Sequence, residues 1–463
     1  MRKTVLLLFV LLFGTQLYAQ QQAYKMHLLA NYNDSNLPKV DITDIWNDLT
    51  GYYDPIKKRE YIIAGGTDSI YFFEITSTSE IKRLHSVWGT SRLARNRDFE
   101  TYKHYVYCVS DQSGTYGSLK VYDLQYLPDS IPLVFESAVL GSSTHTIFID
   151  SMSARMYMCS NAKPPGQMSA MDIISLTNPA LPVLLAELKV PTVNGFPLFN
   201  MVHEMFARND TVYLSCGNAG LYIFDLRDTA NQILLGSITE YPDRGYNHSC
   251  WLDKTGRYLM FTDENMGLDV KIFDIKNMAD PKFVSQFNSN EYAMPHNAYW
   301  VGDLAYVSSY HDGIRIYDVK DPGNPIQVAW YDTHPETPEV YGGYKGTWGV
   351  YPYLPSKRII ASDLTRGIFV FLVDSDLVGL TKVEKTLEMF NMYPNPAHEW
   401  LNIESDFTGQ AQFQIIDLKG TVCHFQELEN GISKIDLGDL TMGTYIVKVQ
   451  TSTSLVYKKL FRW

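Results

Sequence analysis

The feature that most constrains this chain is a repeat. Short alternating runs ending at or near an acidic residue return seven times: SIYFFEI (69–75), LKVYDL (119–124), SAMDII (169–174), LYIFDL (221–226), VKIFDI (270–275), IRIYDV (314–319) and GIFVFL (367–372). With Glu74, Asp123, Asp172, Asp225, Asp274, Asp318 and Leu372 as markers, the spacings are 49, 49, 53, 49, 44 and 54 residues. A sustained period of this length marks a repeat architecture, in which one supersecondary unit is copied and stacked.

Each unit has the same parts. In the fourth, HEMFAR (203–208) meets the turn Asn209-Asp210 and is followed by TVYLSC (211–216). The turn Asn218-Ala219-Gly220 then leads to LYIFDL and ILLGSI (233–238). Period-two patterning broken by turn residues predicts antiparallel strands rather than helices. Seven units of four strands predict an all-β chain built on a seven-bladed β-propeller. The seventh unit supplies only three strands, within TWGVYPYL (347–354), RIIASDL (358–364) and GIFVFLV (367–373). The early segment KMHLLANYND (25–34) patterns like PIQVAWYDT (325–333) and is the expected fourth, removing an exposed edge.

Charge and composition narrow the partners. The net charge is -12 across 463 residues and no Lys/Arg cluster stands out, which argues against nucleic acid and anionic membrane surfaces. The start, MRKTVLLLFVLLFGTQLYAQ, reads as a signal peptide over 1–19, cut after Ala19. No Cys follows that cut, so a lipid anchor is not expected, and no other run is apolar and long enough to span a bilayer. Five cysteines without CxxC spacing indicate neither a disulfide framework nor a zinc site, and leave their pairing open.

After Val373 the period stops. Residues 374–388, DSDLVGLTKVEKTLE, read as a linker, and 389–463 hold short strands at close spacing. Those strands fit a small Ig-like β-sandwich.

Two resemblances attach to these residues. The turns after the third strands, as in Asp318-Val-Lys-Asp-Pro-Gly-Asn-Pro325, make residues 25–373 resemble LVIVD-repeat proteins, and more narrowly the choice-of-anchor B family. His296-Asn297 and GTWGVYPYLPSKRIIASD (346–363) carry the narrower likeness. Asn96-Arg97-Asp98, where Trp-Arg-Asp is expected, and the degraded SAMDII depart from it. That resemblance implies an extracellular propeller without an assigned reaction. The tail, with Tyr393-Pro394-Asn395-Pro396 before Leu401-Asn402-Ile403, Gly443-Thr444-Tyr445 leading to Lys448, and a basic-apolar end, resembles a type A sorting domain of the type IX secretion system. It implies engagement of that secretion machinery, delivery across the outer membrane, and release or surface attachment. Five Asp-Ser/Thr-apolar triplets, such as Asp68-Ser69-Ile70, fit O-glycosylation in such a setting, although Asp and Ser also belong in turns.

One position near the start of each innermost strand holds His145, His203, His248 and His296 in four consecutive units. The other units offer Trp46, Arg97 with Asp98, and Trp348. In a propeller these residues line the channel. Converging imidazoles suit a transition metal, and a repeated His equally suits a lock that hydrogen-bonds the next blade. Seven-fold spacing argues against a compact metal site. Asp263-Glu264 is a candidate for calcium on a loop, without the alternating spacing of a dedicated calcium loop. Trp330, Tyr331, Tyr341 and Tyr344, around a Gly-rich segment, are candidates for stacking on glycans or peptides.

No nucleophile elbow, P-loop or HExxH motif is present. The expected function is therefore a secreted or cell-surface, non-catalytic propeller that binds an extracellular protein or glycan. The alternative is a metal-dependent hydrolase or lyase using the channel histidines.

Overall fold

The computed structural model describes residues 22–463, apart from 90, 113–118, 165, 336–340, 376, 378–389, 406–409, 418–420, 452–454 and the side chains of 455–457. The expected signal peptide (1–19) and most of the expected linker (374–388) lie outside the described residues. The chain divides into two compact units, Met1–Asp374 and Ser375–Trp463.

The first unit is built from antiparallel sheets in chain order. Sheet 1 holds Trp46–Asp54, Arg59–Gly66, Ser69–Ile75 and Ile81–Trp88. Sheet 2 holds Arg97–Tyr102, Tyr105–Ser110, Leu119–Asp123 and Leu133–Ser137. Sheet 3 holds Thr146–Asp150, Arg155–Lys163, Gln167–Ser175 and Val183–Glu187. Sheet 4 holds Glu204–Arg208, Thr211–Ser215, Leu221–Asp225 and Ile233–Ile238. Sheet 5 holds Asn247–Leu252, Tyr258–Asp263, Val270–Asp274 and Lys282–Phe287. Sheet 6 holds Ala298–Val301, Leu304–Ser309, Gly313–Asp318 and Ile326–Tyr331, with Ala23–Tyr24 as a fifth strand. Sheet 7 combines Thr347–Tyr351, Ile359–Asp363 and Gly367–Val373 with Met26–Tyr32 from the start of the chain.

Strand alternation places successive side chains on opposite faces, and each face meets a different neighbour. Ile63 packs toward sheet 2 with Phe99 and Val106, while Ile62 packs with Ile360 and Val370 of sheet 7. Met260 joins Trp300 and Val307 of sheet 6, while Leu259 and Phe261 join Phe206 and Tyr213 of sheet 4. The first strand of each sheet touches the first strand of the next from sheet 1 to sheet 6. Thr347–Tyr351 of sheet 7 touches Leu304–Ser309 of sheet 6 on one side and Trp46–Asp54 of sheet 1 on the other. Most apolar clusters of this unit thus lie between consecutive sheets.

A bulge interrupts the pairing of the third and fourth strands in every one of the seven sheets. It falls at Phe72/Phe73, Val121/Tyr122, Ile173/Ile174, Ile223/Phe224, Ile272/Phe273, Ile316/Tyr317 and Val370/Phe371, so the residue just after it is the structural marker of each repeat. In six sheets that residue is the one picked from sequence. In sheet 3 it is Ser175, not Asp172, which corrects the marker. The correction has a chemical basis. At the common position the Asp123, Asp225, Asp274 and Asp318 carboxylates accept the backbone N–H two residues on, closing the turn. The Ser175 hydroxyl accepts from Thr177 N in the same way, at 3.3 Å. Asp172 is instead fully buried, accepting from Asn161, Lys163 and Ser169.

The second unit carries two sheets on one core. Phe390–Tyr393, Trp400–Ser405 and Gly431–Asp436 form one, and Val422–Leu428, Ala411–Ile416, Gly443–Gln450 and Leu455–Arg462 form the other. Leu401, Ile403 and Ile435 from the first meet Phe413, Ile415, Val447 and Val449 from the second. The described residues contain no helix long and apolar enough to cross a membrane.

Candidate functional site

Where the first strands begin, side chains in or next to all seven sheets line a cavity of about 480 Å³. Its wall includes Trp46, His145, His203, His248, His296, Tyr310, Tyr344 and Trp348, with Asp41, Asp111 and Glu264. The four imidazoles form a file. His145 Nε2 lies 2.9 Å from His203 Nε2, and the ring centroids of His203–His248, His248–His296 and His296–Trp348 are 4.2, 4.3 and 4.7 Å apart.

The file is held by two kinds of bond. Hydroxyls join successive sheets: Thr146 Oγ1 donates to His203 O (2.6 Å), Ser249 Oγ to His296 O (3.0 Å) and Ser308 Oγ to Trp348 O (2.8 Å). Two of the four rings meet the backbone of the next sheet, His296 through Nδ1 to Trp348 O at 2.8 Å and His248 at the His296 backbone. His145 Nδ1 turns back, 3.0 Å from Asp111 Oδ2 and 3.2 Å from Asn96 Nδ2. The Nδ1 atoms of His203 and His248 are buried without a hydrogen-bond partner. Three hydroxyls near the file, Thr146, Ser249 and Ser308, thus supply much of the inter-sheet bonding.

Glu264 completes the cluster. It follows directly after the strand Tyr258–Asp263, so its side chain departs opposite to that of Asp263. Asp263 is fully buried against Lys271 at 3.0 Å, while Glu264 faces His248 Nε2 (3.7 Å), His296 Nε2 (3.8 Å) and the Tyr310 hydroxyl, which donates at 2.5 Å. The two carboxylates part, so a shared Asp263-Glu264 calcium site is not formed. Burial pushes the Glu264 carboxyl up to about 7, with the Tyr310 bond opposing it. Burial and neighbouring imidazoles hold His203 and His248 well below the ordinary histidine range, and burial holds His296 at about 3. These three rings are neutral at physiological pH.

His203, His248 and Glu264 each offer a ligand atom within 4.8 Å of the others. They come from two adjacent sheets, because Glu264 and His248 belong to the same one. That is why the cluster is compact although positions repeat around seven sheets.

A second cavity of about 220 Å³ shares Asp48, Glu204 and Asn297 with the first. Asp98 and Glu100 also line it. Asp98 binds Phe99 N (2.8 Å) and Ile147 N (2.5 Å), joining sheets 2 and 3. The Glu100 carboxyl is raised well above its ordinary value by burial and by Asp98 and Asp48. Sequence reading did not single out Asp48, Glu100, Glu204, Asp111 or Tyr310. Glu100 and Glu204 belong to the first strands and could have been found by extending the histidine alignment along them.

The remaining candidates separate. Arg97 does not line the first cavity. Its buried guanidinium donates to the carbonyls of Gly66, Gly89, Thr67 and Ser91, pinning sheet 1 to sheet 2. Trp330 and Tyr331 lie in the outer strand Ile326–Tyr331, not a loop; Trp330 stacks on Tyr24 at 4.9 Å and Tyr331 packs on Phe371 at 4.8 Å. Tyr341 bonds Asp312 through its hydroxyl and stacks on His311. Tyr344 is the exposed one that lines the cavity, at 56% exposure. All five cysteines are unpaired, four of them buried.

In the second unit Tyr393 ends a strand that Pro394, Asn395 and Pro396 follow. Asn395 donates to Lys459 O (2.7 Å) and accepts from Phe461 N (2.9 Å), tying this turn to the last strand. Gly443 opens the strand that carries Tyr445 and Lys448, and the Tyr445 hydroxyl donates to Thr441 O at 2.8 Å.

Residues 391–461 match the family model of the secretion system C-terminal sorting domain. No curated protein matches the chain. The tail is thus of the type IX sorting class, and it supports delivery of this protein to the outside or the outer surface of the cell.

Proposed function

We propose that residues 20–373 form a seven-bladed β-propeller of the LVIVD-repeat, choice-of-anchor B type, preceded by a signal peptide over 1–19 and followed by a sorting domain over 389–463. Seven sheets in chain order, cores between consecutive sheets, and the contact of sheet 7 with sheet 1 support this reading. The exported propeller is a non-catalytic binding protein, and its ligand is a short extracellular glycan or glycan end held in the axial cavity.

The observation that carries the ligand class is the cavity itself. At about 480 Å³ it falls within the usual range for small-ligand sites, roughly 300–1,000 Å³. Its aromatic faces, Tyr344 and Trp348 above all, suit the C–H face of a sugar ring. Asp41 and Asp111 suit its hydroxyls as acceptors. The test is retention of the labelled full-length protein on a glycan array, beside Tyr344→Ala and Asp111→Asn. Each variant is expected to weaken retention about tenfold, near 1.4 kcal/mol, with unchanged melting. Absence of retention, or retention that ignores both substitutions, overturns the reading.

The second reading, a metal-dependent hydrolase or lyase, draws support from the proximity of His203, His248 and Glu264. Hydrolysis or eliminative cleavage of whatever glycan the array retains would replace the binding reading with it.

A further inference from the structure

We propose that the cavity floor is a transition-metal site, with an imidazole nitrogen of His203, Nε2 of His248 and a carboxylate oxygen of Glu264 as its ligands. The inference rests on the reading that this cavity is the functional site, and it assigns the cavity a resident divalent ion such as Zn(II).

Three independent features point to it. The first is distance. Ligand atoms around a four-coordinate Zn(II) with ~2.1 Å bonds stand about 3.4 Å apart. Here His248 Nε2 and Glu264 Oε2 are 3.7 Å apart, and all three ligand atoms fall within 4.8 Å. Small side-chain shifts close that gap.

The second is unmet bonding. Buried polar atoms are normally hydrogen-bonded, and a lone buried carboxylate is costly to hold charged. His203 Nδ1 has no hydrogen-bond partner among the described residues, and Glu264 faces two imidazoles and a hydroxyl. A structural lock would spend such an atom on backbone, as His296 does with Trp348 O and His248 does with the His296 backbone; His203 Nδ1 is not spent in this way.

The third lies behind the ligands. Metal-bound histidines usually direct their other ring nitrogen at a carboxylate or its equivalent, which fixes the tautomer. His248 Nδ1 faces Glu204 Oε2 at 3.6 Å. His203 Nε2 reaches His145 Nε2 at 2.9 Å, and His145 Nδ1 reaches Asp111 Oδ2 at 3.0 Å. A proton on His145 Nδ1 leaves its Nε2 to accept from His203 Nε2–H, which frees His203 Nδ1 to bind a cation. Two imidazoles and one carboxylate, open to a cavity, match the donor set of zinc sites that keep a position for an exogenous ligand.

The experiment uses the purified full-length chain, stripped with a chelator and titrated with Zn(II) and separately with Co(II). Bound metal, the Co(II) visible spectrum and melting are measured for wild type, His203→Gln, His248→Gln, Glu264→Gln and, as a control outside the cluster, His104→Gln. One equivalent is expected in wild type and in the control, with a tetrahedral-type Co(II) spectrum and raised melting. The three ligand variants are expected to bind on the order of 100-fold more weakly, a loss of about 2.7 kcal/mol. Metal-free Glu264→Gln keeps the shape of the side chain and is expected to melt no lower than metal-free wild type, so its loss of metal is not a loss of fold. No binding at micromolar free Zn(II), or equal binding by wild type and the three variants, overturns the inference. Glycan retention is read on the same metal-free and metal-loaded samples. Retention by a protein that takes up no metal on titration sinks the metal site and leaves the glycan reading standing; metal uptake without retention does the reverse.

Discussion

Among single residues, Glu100 shows how burial is written into pH behaviour. Its carboxyl is raised well above the usual range, first by burial and then by Asp98 and Asp48. As pH rises past the unfolded value near 4.5, the unfolded chain gives up a proton that the folded chain keeps. Stability then falls with rising pH, because the folded state binds more protons. Glu100→Gln removes that slope. Melting of the variant is expected to equal wild type below pH 4.5 and to exceed it by a widening margin above. A constant margin across pH, measured by calorimetry, would sink this account. At this scale sequence was an uneven guide. The histidine file was legible because repeats copy position, and those four rings do converge. Glu264 was noticed for the wrong partner, since adjacency in sequence suggested sharing with Asp263, whereas strand alternation sends the two apart. Arg97 was assigned to the channel by alignment, but its guanidinium finds four carbonyls between two sheets instead.

Among elements, the strands were legible because their alternation is copied seven times, and register was legible wherever an Asp closed the turn. Sheet 3 misled because its closing residue is Ser175, while an acidic residue, Asp172, stands three positions earlier in the same strand. The two positions are expected to respond oppositely. Asp172→Ala takes one of two carboxylates from the buried Lys163 ammonium, 3.0 Å away, leaving Glu187, and removes the acceptor of Asn161 and Ser169, so it should cost roughly 2 kcal/mol in denaturant unfolding. Ser175→Asp restores the acceptor used in the other sheets and should lie within about 0.5 kcal/mol of wild type. Equal costs at the two positions would return the marker to Asp172. Bulges themselves were not legible, since an extra residue in a period-two run leaves no signal except its effect on spacing.

For the molecule as a whole, the division into two units has a direct consequence for the tail. Its core is made of its own residues, Phe390 to Leu460. Deleting 389–463 is expected to leave a folded first unit with wild-type metal uptake and to hold it in the periplasm of the producing cell. Fractionation and immunoblotting of the truncated chain check this, and its normal appearance outside the cell would refute the sorting role of the tail. The tail's turn and strand residues were legible because a handful of them carry the motif, from Tyr393 to Lys448.

Sheet 7 joins Met26–Tyr32, near the start of the unit, to Gly367–Val373, its last strand. During synthesis or passage through a membrane pore, the earlier strand emerges long before its partner exists. Six sheets have their four-strand sets in hand before that partner emerges, and the seventh is complete only once the last strand of the unit has arrived. The order of emergence makes this one pairing a timer. A chaperone that holds Met26–Tyr32 would delay maturation of the whole unit while leaving most of its sheets intact.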